Sequence, residues 1–135
     1  MFCSVASAQV NISREDLKEI QAKVQELKNK NLEVVSKSTL PKEKNYLINI
    51  GDVIWREEIY LNALQAMLAL HEKSADPEST EKMLREWIQK MTMDTKSDAE
   101  LIATFASLKI GDTIKEIVTP LKVVLEEELT LLSKS

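Results

Sequence analysis

Glycine and proline are scarce, two and three among 135 residues, which excludes a turn-rich β-sandwich or barrel. Aromatic residues make up 4%, too few for a platform on which single-stranded nucleic acid could stack. Two glycines cannot build a phosphate-cradling loop. The net charge of −4 argues against any partner recognised through a phosphate backbone, so no nucleic acid is expected. A single cysteine, Cys3, cannot form an internal disulfide, and a single histidine, His71, excludes most metal sites and catalytic triads. A di-iron bundle would need a Glu-x-x-His motif, and the residue three before His71 is Leu68. Haem ligation by His71 with Met67, Met83 or Met91 lacks the Cys-x-x-Cys-His attachment motif, and methionines at helical spacing usually belong to a core. No cofactor and no metal are therefore expected. No apolar run approaches the ~18 residues of a membrane span.

What is present is a core and a solvated surface: 44% hydrophobic and 30% charged residues, in a length that suits one domain. The first eight residues, Met1 to Ala8, carry no charge, and Ala6-Ser7-Ala8 fits the small-x-small pattern before a signal-peptidase cut. Residues 1–8 then read as the tail of a secretory signal, with Gln9 first in the mature chain and residues 9–135 one helical domain. Cleavage would remove Cys3, which suits a periplasmic or secreted protein in an oxidising compartment. If residues 1–8 are not a signal remnant, the protein is cytoplasmic.

The periodicity from Ser13 onwards is helical. Ser13 is placed to cap a first helix, in which Leu17, Ile20, Val24, Leu27, Asn31 and Val34 step 3,4,3,4,3 like a coiled-coil seam. Glu19/Lys23, Glu26/Lys30 and Glu33/Lys37 repeat beside it as i,i+4 pairs, a charged ridge. Asn31 either sets register against a neighbouring helix or marks fraying, and Asn29-Lys30-Asn31 favours fraying. The seam could equally face a second copy, making a homodimer. A second helix runs from about Lys42 to Lys73, opened by Pro41 and broken or bent at Gly51-Asp52. Its stretch from Ile59 to Leu70 is apolar on most sides, which makes about 52–73 the central helix. Asp76-Pro77 starts a third helix to about Met91, and Ser97-Asp98-Ala99-Glu100 reads as a capping box for a fourth. Gly111-Asp112 is a joint before a last helix to about Ser133, which Pro120 should kink. The two glycines share the string Ile-Gly-Asp-x-Ile, at 50–54 and 110–114, either a worn duplication or coincidence. Both are expected to close one helix in a left-handed conformation while the aspartate caps the next. The fold class is all-α, a single compact bundle of four to six helices.

The cluster richest in contact-making residue types is Trp55, Arg56, Glu57 and Tyr60, which either form a binding surface or complete the core. Glu126, Glu127 and Glu128 make an acidic run near a helix C-terminus, where the helix dipole disfavours negative charge. The C-terminal half carries the whole charge excess and could steer a basic partner. These features favour an exported, non-catalytic helical protein that binds another protein, in the manner of small inhibitors, immunity proteins or chaperones. A second reading is a small-molecule binder with an interhelical pocket lined by Met67, Trp87 or Phe105. A third is a small enzyme in which Arg14, Arg56 and Arg85 converge on an anionic substrate.

Overall fold

The computed structural model describes residues 10–134, so the Met1–Ala8 segment lies outside the described residues. Among the described residues the chain forms four helices and no strands, the all-α bundle expected from the periodicity. These are α1 (Arg14–Lys37), α2 (Pro41–Glu72), α3 (Pro77–Ser107) and α4 (Asp112–Leu132). Three- and four-residue connections force consecutive helices antiparallel. Each helix packs on its two neighbours around the square, α2 touches α4 across the diagonal, and α1 and α3 stay apart.

The helix starts follow the capping chemistry. Ser13 Oγ accepts from the Asp16 amide at 3.3 Å, and Asp76 Oδ1 accepts from the Ser79 amide at 3.3 Å with Pro77 in the first turn. Proline also opens α2, where the missing N–H needs no partner. Gly111 caps α4 with φ −61° and ψ 153°, so it is extended and not left-handed.

Two expected breaks are absent. Helix α2 runs through Gly51 without interruption, and α3 runs through Ser97. The two Ile-Gly-Asp-x-Ile strings therefore occupy different structures, a helix interior and a helix start. In α3 the inward positions are Leu84, Ile88, Met91, Thr95, Asp98, Ile102 and Phe105, an unbroken 4,3,4,3,4,3 seam. Thr95 and Asp98 are polar members of that seam, and their polarity imitates a helix end in the sequence. Gly51 is needed for close approach. A β-carbon there would stand 3.1 Å from Asn31 Nδ2, and this amide donates to the Leu47 carbonyl at 3.2 Å. Asn31 is buried in the α1–α2 contact, so it sets register and does not fray.

Pro120 lies inside α4 and leaves the Glu116 carbonyl without its i+4 amide. Lys30 Nζ reaches that carbonyl from α1 at 3.5 Å, with the Glu116 carboxylate 3.9 Å away. The charged ridge of α1 thus reaches beyond its own helix. Lys23 bonds Glu127 of α4 at 2.7 Å, and of the three expected pairs only Glu33–Lys37 forms, at 2.9 Å.

Candidate functional site

At mid-height in the bundle the apolar seams of three helices are interrupted together. Glu57 takes an inward position of α2 between Ile54 and Leu61, Thr95 and Asp98 take two on α3, and Glu128 takes one on α4. Glu57, Thr95 and Glu128 are completely buried and Asp98 nearly so. Thr95 Oγ1 stands 2.7 Å from Glu57 Oε1 and 3.1 Å from Glu128 Oε2. A hydroxyl has one hydrogen, so it donates to only one of these carboxyl oxygens. Two ionised carboxylates cannot both be satisfied by it, and the arrangement closes only when one carboxyl keeps its proton.

The surroundings agree. Glu57 Oε2, Glu128 Oε1 and Asp98 Oδ2 are buried with no protein N–H or hydroxyl donor aimed at them, and a bond between neighbouring carboxyl groups would serve two of them. Burial pushes the Glu57 carboxyl far above the carboxylate range, reinforced by hydrogen bonds to Glu128 and Asp98 and by the Glu128 charge. Burial also raises Glu128, while its bonds to Glu57 and Thr95 favour its ionised form. Burial raises both carboxyls, so one proton is held by the Glu57–Glu128 pair. Asp98 has its own counter-ion, with Arg56 Nη2 donating to Oδ1 at 2.6 Å. That bond raises the Arg56 pKa still further. Beside it the Tyr60 hydroxyl donates to Asp94 Oδ2, which also accepts from Lys90 at 3.1 Å. The hydrogen bond to Asp94 is the main reason the Tyr60 phenol is pushed up to about 12. Tyr60 meets Trp87 edge to face at 5.5 Å, and Trp87 Nε1 donates to the Tyr60 carbonyl at 3.4 Å.

The run Trp55, Arg56, Glu57, Tyr60 is thus one stretch of helix facing three ways. Glu57 points into the core, Arg56 and Tyr60 face α3, and Trp55 is 60% exposed on the α1 side. Trp55 lines an open groove of about 300 Å³ between α1 and α2, with Leu32, Val35 and Ile48 on its walls. Leu32 and Ile48 are more than half exposed, at 58% and 53%. Lys28, paired with Glu58 at 3.0 Å, and Asp52 supply its charged lining and rim.

Glu126, Glu127 and Glu128 form no continuous acidic surface: Glu126 faces solvent, Glu127 is bonded to Lys23, and Glu128 lies in the core. Helical geometry turns successive residues by about 100°, so a run in sequence cannot be a patch on one face. The three arginines do not converge either. Arg14 bonds Glu72 at 3.1 Å, Arg56 bonds Asp98, and Arg85 lies 3.6 Å from Glu81. Met67, Trp87 and Phe105 sit at different heights and line no common pocket. Phe105 meets Tyr46 edge to face at 5.5 Å, and Tyr46 is roughly 30 Å along α2 from Met67 at 1.5 Å per residue. His71 is half-buried, with Nδ1 2.6 Å from Thr80 Oγ1 and Nε2 3.2 Å from Glu81 Oε2. Among the described residues no group of three or more acidic, histidine or cysteine side chains is arranged to hold a metal ion. Nor is any helix there long and apolar enough to cross a membrane.

The buried Thr95, Asp98 and Glu128 escape a search for apolar periodicity. Their signal is the seam itself: each stands where the 3,4 step demands an inward residue. Compared with protein-family models, curated proteins and solved structures, the chain finds no match.

Proposed function

We propose that this chain is a non-catalytic helical protein that binds another protein through the α1–α2 face around Trp55, and that it does so after export. The observation carrying this reading is the exposure of Trp55 together with Leu32 and Ile48 along one groove. Tryptophan is the residue type most enriched at the energetic centre of interfaces, and grouped exposed apolar side chains rimmed by charge mark binding surfaces. The polar cluster favours no catalytic role: it is closed to solvent, and its groups are bonded to one another. The acidic C-terminal half would speed encounter with a basic partner.

The test is affinity capture from the cell envelope or medium with the mature protein as bait. Trp55→Ala and Ile48→Asp should each weaken capture of a discrete partner at least tenfold. Met93→Asp, which changes an equally exposed side chain on α3 (67%), should leave capture intact. Equal capture by all four proteins would remove the α1–α2 face from the reading. Export is tested separately by the intact mass of the exported product of the full-length gene, expected to begin at Gln9; retention of residues 1–8 would refute it.

A further inference from the structure

The geometry points to a pH-sensitive latch: Glu57 and Glu128 are cross-linked through Thr95 by one shared proton, and its loss releases the C-terminal turn of α4. The junction joins three helices at one hydroxyl, with Glu57 from α2, Thr95 from α3 and Glu128 from α4. With one proton present, the carboxyl that holds it donates to the other, and Thr95 donates to one of the two oxygens beside it. Without it, two buried carboxylates compete for one hydrogen, and their repulsion acts in a medium that screens it poorly.

The groups around the junction cannot relieve that conflict. On α2 the nearest cation, Arg56, is bonded to Asp98. On α3, Asp98 adds negative charge, and Asp94 holds Tyr60 and Lys90. On α4 the adjacent Glu127 is bonded to Lys23 of α1. Both carboxyls of the junction are displaced upward by burial, so the release falls above the ordinary carboxylate range.

The element that yields is set by position. Glu128 lies four residues before the end of α4, where the helix dipole already disfavours a negative charge. Fraying the last turn carries that carboxylate into water while α2 and α3 stay paired. The same movement uncovers Leu131 and Leu132, which are buried in the closed state.

Hydrogen exchange of the full chain, read by quench-flow pulse labelling and mass spectrometry from pH 5 to pH 12 and corrected for intrinsic rates, tests this, because burial pushes the last proton of the pair far above the carboxylate range. Opening linked to one proton should lower protection of residues 128–134 by up to tenfold per pH unit above the release point. Glu57→Gln supplies an amide N–H in place of the titrating proton, so its protection should stay flat over the same range. Glu126→Gln, a neutralised surface carboxylate, should retain the wild-type slope. Flat wild-type protection, or an equal slope in Glu57→Gln, would overturn the latch. If Glu57→Gln does not fold, carboxyl carbon NMR of the wild-type glutamates decides. A carboxyl of the Glu57–Glu128 pair that keeps the protonated-acid shift at pH 7 supports the latch, and two fully ionised carboxylates refute it.

Discussion

Replacing Gly51 by alanine sets two effects of similar size against each other. In the middle of α2, alanine is favoured over glycine by about 1 kcal/mol, because glycine loses more backbone freedom on folding. The added β-carbon, however, would stand 3.1 Å from Asn31 Nδ2, closer than an ordinary contact. The asparagine must retreat by a few tenths of an ångström, which stretches its 3.2 Å bond to the Leu47 carbonyl towards the limit of a hydrogen bond. Weakening a buried amide's bond costs about 1 kcal/mol, and more if the amide is left without a partner. Gly51→Ala alone should therefore change stability by less than about 1 kcal/mol. Asn31→Ala removes the obstacle, and Leu47 still has its own helical partner. In that background Gly51→Ala should give the full stabilisation of about 1 kcal/mol. Urea denaturation of the four proteins closes the double-mutant cycle, and a coupling of about 1 kcal/mol is expected. If Gly51→Ala stabilises equally in both backgrounds, close packing at Gly51 is not what the glycine is for.

Two other perturbations probe different joints. Pro120→Ala should stabilise α4 by about 1–3 kcal/mol in thermal unfolding, because it restores the amide owed to the Glu116 carbonyl. Lys30→Met should then cost less than it does in the wild type, where Lys30 serves that carbonyl. The Tyr60–Asp94 bond gives a pH signature at each extreme. Asp94 is held below its ordinary value by Tyr60 and then Lys90, so its contribution is present above the usual carboxylate range and disappears as pH falls through the lowered value. Tyr60 is raised, so its share is present below pH 10.0 and lost as pH rises towards about 12. An ultraviolet titration should show one phenol ionising late, and Asp94→Asn should bring it back towards 10.0.

The architecture could be read from the sequence wherever inward positions are apolar. The α1 seam from Leu17 to Leu27 and the caps at Ser13 and Asp76 stand where the residues suggest. The reading loses accuracy wherever an inward position is polar. Asn31 resembled fraying, and Thr95 and Asp98 resembled the gap between two helices, because periodicity counts only apolar residues. Glycine misled for the opposite reason: its local preference suggests a joint, but at Gly51 the tertiary approach of Asn31 uses the missing β-carbon. Glu128 was hidden inside a glutamate run that looks solvated as a whole, although each of its three members faces a different environment. Trp55 shows that composition alone cannot decide direction, since Trp55, mostly in solvent, stands only two positions along α2 from the wholly buried Glu57.

The inward polar residues also bear on which pairing the helices adopt. Four seams with the same 3,4 step could slide past one another by a heptad and still bring apolar side chains together. Such a slip would separate Asn31 from the Leu47 carbonyl and carry its amide away from the space above Gly51. It would also part Glu57 from Thr95, and Arg56 from Asp98. Each displaced group would then be buried without its partner, at a cost of several kcal/mol for a charge and about 1–3 kcal/mol for an amide. The apolar seams supply most of the stability, but they distinguish poorly between registers. Asn31 pins α1 to α2, and the carboxyl junction pins α2, α3 and α4 to one another. Helix α2 belongs to both devices, so its position fixes the other three. The titration of the latch and the register of the bundle thus depend on the same residues. A variant that removes the latch by making all of them apolar should gain stability at neutral pH and lose the single pairing.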